Sequence, residues 1–260
     1  MIKDFKLYLL DMDGTIYIDN QLIDGTIEFL SQIKASGGKY LFLTNNSSKS
    51  INDYVKKLSS LGIETTKEDF YSSSMATSSY LLEHYPNKLV FCVGTKSFVL
   101  EMKLSGIKIT EQIEDGIEVL LLAFDTELTS KKLRDLSYLL TTRDLAYIAT
   151  NPDLVCPVDF GYIPDCGSIS EMLYNATKKR PFFIGKPNPM MIENAMKLTG
   201  YSKEETVLIG DRLYTDIASG KNADIKTICV LTGEATLDDI EKSEVKPDYT
   251  FGSIKQLFKD

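Results

Sequence analysis

The chain has 260 residues, long for one minimal domain and comfortable for two modest ones, and its 43% hydrophobic and 25% charged residues are ordinary for a globular protein. Its 29 Lys and Arg against 37 Asp and Glu leave a formal charge of -8 with no long basic run, which argues against nucleic acid as a partner, because binding it needs cations clustered on phosphates. Val119 to Phe124 is too short an apolar run to cross a bilayer and no signal-peptide pattern opens the sequence, so a cytoplasmic protein with no membrane partner is expected.

Leu7-Tyr8-Leu9-Leu10 predicts a buried parallel strand, and Gly14 supplies a turn soon after it. Side chains two apart at a strand end project the same way, so Asp11 and Asp13 offer two carboxylates at the carboxyl edge of a sheet. Open α/β folds bind ligands at that edge. Two anions this close repel unless a cation sits between them or one takes up a proton. A hard divalent ion, Mg2+ foremost, suits such oxygen ligands. A plain Asp-Gly turn is the alternative at this stage. A calcium loop is not, since the EF-hand register would put Leu9 and Asn20 where acids are needed.

Ile27, Leu30 and Ile33 recur at helical spacing, and Gly37-Gly38 ends that helix. A second strand, Tyr40 to Leu43, runs into Thr44-Asn45-Asn46-Ser47. Ser48 is expected to cap the next helix, whose inner face reads Ile51, Val55 and Leu58. A short strand near Phe70-Tyr71 and a helix ending near Tyr85 follow. The only histidine, His84, falls at that helix end, so Ser-His-Asp or Cys-His chemistry has little to build on.

Strands from Leu89 to Val93, Val119 to Phe124 and Ala146 to Thr150, with helices from Lys96 to Leu104 and Ser130 to Thr141, come next. They fill roughly 95 residues, enough for a domain of their own. Phe182-Phe183-Ile184 then leads to Gly185-Lys186-Pro187 and a helix through Ile192, Ala195 and Met196 that Gly200 stops. Val207-Leu208-Ile209 leads to Gly210-Asp211, a helix is expected from about Thr215, and Thr227 to Leu231 is the last strand read. Alternating strands and helices predict an α/β fold with a parallel sheet and right-handed crossovers. Residues 1–82 and 180–260 are expected to form one domain, with 83–179 inserted as a smaller α/β domain. Cys92, Cys156, Cys166 and Cys229 are widely spaced without a C-x-x-C pair, as expected of reduced, mostly buried thiols.

The informative pattern is recurrence. Apolar runs end in Asp11/Asp13, in Thr44-Asn45, in Lys186 and in Asp211. If all belong to one parallel sheet, these ends share an edge. Together they make a cation site, hydroxyl and amide donors, and a fixed positive charge, a set that suits a phosphoryl group.

Asp11-Met12-Asp13-Gly14-Thr15, Thr44-Asn45-Asn46-Ser47, Gly185-Lys186-Pro187 and Gly210-Asp211-Arg212-Leu213-Tyr214-Thr215-Asp216, in this order, resemble the motifs of the haloacid dehalogenase superfamily of phosphatases. The insertion between the second and third motifs resembles the capped subclass IIA of NagD-type, 4-nitrophenylphosphatase and phosphoglycolate phosphatase proteins. The resemblance implies a Rossmann-like three-layer core, Mg2+ as cofactor, and a small phosphorylated metabolite as substrate. It implies Asp11 as nucleophile and Asp13 as general acid and base, with the Asp13 backbone carbonyl on the metal. Asp211 would ligate Mg2+, supported by Asp216, and Asp11 would share the ion. Thr44, the Asn45 amide and Lys186 would hold phosphoryl oxygens. The insertion would be a cap that closes over the phosphate; the segment from Asn151-Pro152-Asp153 to Gly167-Ser168 resembles the stretch that faces substrate, with Asn151 and Asp153 foremost, and the resemblance suggests a homodimer through the cap. Asp165-Cys166 departs from the family's glycine and small residue, so substrate identity does not transfer from any one relative.

A phosphomutase or other phosphotransferase with the same nucleophile stays open. A phospho-receiver would leave the large insertion unexplained, and halide displacement would leave Asp13 and Asp211 without a purpose.

Overall fold

The structure, a computed structural model, describes residues 4–158 and 160–257; Asp159, within the stretch expected to face substrate, lies outside them. Strand β1 (Leu7–Leu10) is four consecutive buried residues, as its apolar run dictates. A turn follows in which the amides of Thr15, Ile16 and Tyr17 all reach Met12 O, and the chain returns as a hairpin of β2 (Tyr17–Ile18) and β3 (Gln21–Leu22). Helix α1 (Thr26–Ala35) buries Phe29, Leu30 and Ile33 but turns Ile27 outward. β4 (Lys39–Thr44) leads to α2 (Ile51–Ser60), which does not start at Ser48 as expected. Ser50 precedes it and donates its amide and hydroxyl to Asp53 Oδ2 at 3.0 and 2.7 Å, while Ser48 turns its own amide back to Asn46 Oδ1.

β5 (Phe70–Ser72) runs into α3 (Ser73–His84), capped by the Ser72 hydroxyl, which accepts from Met75 N. Then come β6 (Leu89–Val93), α4 (Lys96–Leu104), β7 (Lys108–Thr110), β8 (Ile117–Leu122), α5 (Ser130–Thr142) and β9 (Ala146–Ala149). A hairpin of β10 (Val155–Val158) and β11 (Gly161–Pro164) precedes α6 (Cys166–Thr177) and β12 (Phe182–Phe183). α7 (Met190–Thr199) ends on Gly200, whose φ of 78° is the left-handed conformation that closes a helix. β13 (Thr206–Gly210), a π-helical turn at Leu213–Ile217, α8 (Ala218–Asn222), β14 (Lys226–Val230), α9 (Leu237–Lys242) and β15 (Tyr249–Phe251) follow, and a 3-10 turn at Ile254–Gln256 comes last among the described residues.

The chain divides into two compact units. Of the described residues, one unit takes in those up to Thr44, Tyr54–Tyr71 and those from Lys186 onward; the other takes in Asn45–Asp53 and Ser72–Gly185. The observed borders therefore give 72–82 and 180–185 to the second unit, along with a short piece of the second motif.

The first unit holds a six-stranded sheet in the order β15-β14-β13-β1-β4-β5. β1 lies between β13 and β4, parallel to both, with Leu10 opposite Ile209 on one side and Phe42 on the other. Strands from both ends of the chain do share this sheet, and the carboxyl ends of three adjacent strands deliver Asp11, Thr44 and Asp211. The second unit holds a five-stranded sheet in the order β12-β9-β8-β6-β7, packed on α5 and α6 through Leu120, Leu122, Leu136, Leu139, Ile169 and Leu173.

One expectation is corrected here. Phe182 to Ile184 is not a strand of the first sheet; β12 pairs with β9 in the second, Phe182 opposite Ile148 and Phe183 opposite Ala149. Phe182 and Phe183 supply only an edge strand, and the chain enters the first unit at Lys186, after the strand has ended. No helix among the described residues is long and apolar enough to cross a membrane.

Candidate active site

Asp11 follows β1 directly, its amide bonded to Ile209 O at 2.9 Å, so the strand pairing that holds β1 also fixes the first acid. Asp211 comes directly after the last residue of β13, Gly210. Asp216 is returned to the site by the π-helical turn, where the Ile217 amide reaches back to Arg212 O at 3.1 Å. Such a turn is rare and re-aims side chains at functional positions. It brings Asp216 close under Gly210, where an added Cβ would lie 2.4 Å from the Asp216 side chain. Oxygens of Asp11, Asp211 and Asp216 lie within 4.8 Å of one another.

Lys186 completes this group. Its ammonium is buried and donates to Asp11 Oδ1 at 2.6 Å, to Asp216 Oδ1 at 2.5 Å and to Leu43 O at 3.5 Å. Burial alone would lower the Lys186 pKa, but the carboxylates of Asp11 and Asp216 raise it instead, so the lysine stays charged. Burial and the charge of Asp216 push Asp11 well above the usual carboxylate range, with Lys186 opposing. The same two causes push Asp211 up to about 7. Three carboxylates with one internal cation are under-neutralised, and a further positive charge would relieve all three.

The donor set fits a divalent metal ion. Asp211 Oδ2 accepts from Glu234 N at 2.7 Å, whereas its Oδ1 is buried with no hydrogen-bond partner. A buried carboxylate oxygen left bare is costly unless a cation meets it. The loop after β14 supports this acid closely: a Cβ at Gly233 would stand 1.9 Å from Asp211 Oδ2, and one at Gly14 would stand 2.6 Å from it. Thr232 Oγ1 donates to Gly14 O at 2.6 Å and ties the two glycine loops together.

The Asp13 carboxylate stands outside the three-acid group. Its Oδ2 accepts from the Tyr17 hydroxyl at 3.2 Å, and Lys57 Nζ lies 3.8 Å from its Oδ1. Lys57 Nζ also sits 3.7 Å over the Tyr17 ring. Burial, with the Asp13 charge beside it, raises the Tyr17 phenol pKa, so it is a standing donor. Thr44 is buried at the end of β4, its hydroxyl 3.5 Å from Tyr54 OH.

The other expected site residues belong to the second unit. Asn45 Nδ2 and Asn151 Nδ2 both donate to Asp153 Oδ2, at 2.7 and 2.8 Å, and Asn151 also reaches Asp165 Oδ1 at 3.0 Å. The Ser73 hydroxyl donates to Asn45 O at 2.6 Å, and Gly167 N donates to Asp153 O at 2.8 Å. A Cβ at Gly167 would clash with Pro152 O, so the chain passes too close there for any side chain. Asn45, Asn151 and Asp153 are thus one buried network rather than separate contacts.

Sequence reading missed Tyr17, Lys57, Gly233 and Glu234. Tyr17 looks like an apolar core residue in a short hairpin, and Lys57 like a surface helix lysine. Gly233-Glu234 follows β14 at the same sheet edge, a signal that was available, but a backbone amide leaves no chemical signature in a sequence.

Comparison with known proteins identifies the family. The family profile "Haloacid dehalogenase-like hydrolase" matches residues 8–108, and a second, "HAD-hyrolase-like", matches 183–257. The chain is 31% identical over 259 residues to an acid sugar phosphatase of Staphylococcus saprophyticus subsp. saprophyticus, covering 100% of this chain and 99% of that one. The fold is similar to the crystal structure of 4-nitrophenylphosphatase from Thermotoga maritima, with TM-score 0.93 and 37% identity over 98% of this chain and 97% of that one. It is similar also to glycerol phosphate phosphatase from Mycobacterium tuberculosis in complex with magnesium, with TM-score 0.93 and 27% identity over 100% of this chain and 76% of that one. The chain therefore belongs to the haloacid dehalogenase-like hydrolases, as a phosphatase of their NagD-type branch.

Proposed function

We propose that this phosphatase hydrolyses small-molecule phosphate monoesters, using Mg2+, through a phosphoryl group carried on Asp11. The observation that supports this most is the pairing of Asp11 with Lys186 at 2.6 Å beside Asp211, whose Oδ1 is bare. Asp11, Asp211 and the Asp13 backbone carbonyl would hold the metal, with Asp216 supporting it. When bound, the ion neutralises charge that develops on the phosphoryl oxygens.

Asp11 attacks phosphorus with one carboxylate oxygen while the ester oxygen leaves. Lys186, held in place by Asp216, keeps a fixed positive charge against the transferring group, and the Thr44 hydroxyl and Asn45 amide add donors. Asp13 gives its proton to the leaving alkoxide and then takes one from the water that attacks the phospho-Asp11. That division of labour suits a carboxyl group separate from the three-acid cluster. Splitting the displacement into two steps lowers each barrier.

The relatives named for sugar phosphate, 4-nitrophenyl phosphate and glycerol phosphate set the first compounds to try. A panel of sugar phosphates, glycerol phosphate, nucleotides, phosphoglycolate and pyridoxal phosphate, assayed for released phosphate with Mg2+ and with EDTA, tests the reading. Turnover that needs Mg2+ and vanishes in Asp11→Asn is expected; full activity in Asp11→Asn overturns it. A homodimer through the second unit belongs to the same reading, supported by Leu154, Phe160 and Tyr162, which are 56%, 79% and 63% exposed. Sedimentation of the purified chain checks it.

A further inference from the structure

Within the first unit, one arrangement is not needed to build the three-acid cluster. Asp13 is fourth from Tyr17 in sequence, and the turn between them is tightly closed. Ile16 N reaches Met12 O at 2.8 Å, Gly14 N reaches Tyr17 O at 2.8 Å, and the Thr26 hydroxyl holds Ile16 O at 3.1 Å. This turn folds the Tyr17 hydroxyl back onto Asp13 Oδ2 at 3.2 Å. Tyr17 is fully buried, so its ring has no freedom to carry the hydroxyl elsewhere. Lys57, in the last turns of α2, lies 3.7 Å over that ring and 3.8 Å from Asp13 Oδ1. A cation on a buried aromatic face is attractive, and here the same cation also faces the carboxylate.

We infer that Tyr17 and Lys57 are positioning residues for Asp13: the Tyr17 hydroxyl occupies Oδ2 and leaves Oδ1 as the oxygen that carries the transferred proton. The inference rests on the assignment of Asp13 as general acid given above. In the first step the Asp11 O–P bond forms as the ester P–O bond breaks, the Asp13 Oδ1–H bond breaks, and an O–H bond forms on the departing alcohol. In the second, water loses a proton to the same Oδ1 as its oxygen bonds to phosphorus and the Asp11 O–P bond breaks. A carboxyl group free to rotate would present either oxygen; one bonded to Tyr17 presents the same one in both steps. Orientation of this kind is worth rate because proton transfer needs the donor within hydrogen-bond reach.

The chemistry gives a test that a merely structural role does not satisfy. An alkyl phosphate such as glycerol phosphate releases a basic alkoxide that needs the proton, whereas 4-nitrophenyl phosphate releases a stable anion that does not. Tyr17→Phe keeps the ring and its contact with Lys57 and deletes only the hydroxyl. Its kcat on the alkyl phosphate is expected to fall about tenfold further than its kcat on 4-nitrophenyl phosphate, a fraction of the range general acids supply, with KM for both little changed. Lys57→Gln, at a half-buried position, is expected to shift the kcat ratio in the same direction. Asp13→Asn is measured beside them. If Asp13→Asn shows no such split, it is the assignment of Asp13 that fails. If Asp13→Asn shows the split and Tyr17→Phe lowers both substrates equally or neither, the positioning inference is overturned. Should Tyr17→Phe not fold, Lys57→Gln decides in the same terms.

Discussion

Lys186 Nζ lies 2.5 Å from Asp216 Oδ1, with both side chains almost wholly buried, at 2% and 1% exposure. Thirty residues separate them, and the lysine reaches Asp11 with the same ammonium. A buried charge is tolerable only when paired, so each member of this trio makes the other two affordable. Lys186→Met removes the cation shared by the buried Asp216 and the partly buried Asp11. Metal-free protein should lose about 3–5 kcal/mol of stability, the usual result of breaking a buried pair. Denaturant unfolding measures that loss. Activity should fall about a hundredfold or more if the ammonium also meets phosphoryl oxygens.

Asp211 carries a second consequence. Its folded carboxyl is raised from 3.8 to about 7 by burial and by Asp216. The folded state therefore binds more protons than the unfolded one across that interval, and stability from this group is present below the unfolded value and lost as pH rises through about 7. A bound divalent ion favours the ionised form and displaces the proton. Thermal unfolding of EDTA-treated protein should show the deficit at pH 8 relative to pH 5. Added Mg2+ should restore more stability at the higher pH, approaching about 2.7 kcal/mol at a hundred times its Kd.

Gly233 tests the loop behind the metal site. A Cβ there would meet Asp211 Oδ2 at 1.9 Å, nearer than any real contact, so the carboxylate must move. Gly233→Ala should weaken divalent-ion affinity by about 10–100-fold, the scale seen when ligand supports are disturbed. Isothermal titration with Mg2+ reads this directly.

Asp248 tests stability away from the site. It accepts from Lys221 and Lys226 at 2.6 and 2.8 Å and from the amide and hydroxyl of Thr227, both at 3.0 Å. Burial alone would raise its pKa; these bonds from Lys221, Lys226 and Thr227 hold it far below the usual carboxylate range. Its stabilisation is therefore present above the unfolded value, about 3.9, and lost only as pH falls below that. Asp248→Asn should cost about 1–3 kcal/mol at neutral pH, judged from charged hydrogen bonds generally. Urea unfolding at pH 7 and at pH 3 should show the difference between the proteins shrinking in acid.

The parts of the fold that depend on local pattern were legible. The apolar run Leu7–Leu10 and the run Leu89–Val93 are strands over the very residues expected, and α4 spans Lys96–Leu104 as expected. The short strands β2, β3 and β7 were not legible, because two or three residues carry no period. The start of helix α6, Asp165-Cys166-Gly167, carries no long apolar period that marks a helix; Asp165 caps it by accepting from Cys166 N. Lys186 was legible as chemistry but not as architecture. Its preceding strand belongs to the second sheet, whereas Lys186 itself belongs to the first unit, where it meets Asp11. Glycines chosen for close approach, such as Gly233, leave no trace that distinguishes them from turn glycines.

The most direct measurement is a single-turnover reaction with labelled phosphate ester, quenched in acid within the first turnover and mapped by peptide. Label on the peptide containing Asp11, absent from Asp11→Asn, is the expected result. Label that passes to free phosphate without ever residing on the protein, or that survives Asp11→Asn, contradicts a phosphoryl group carried by Asp11.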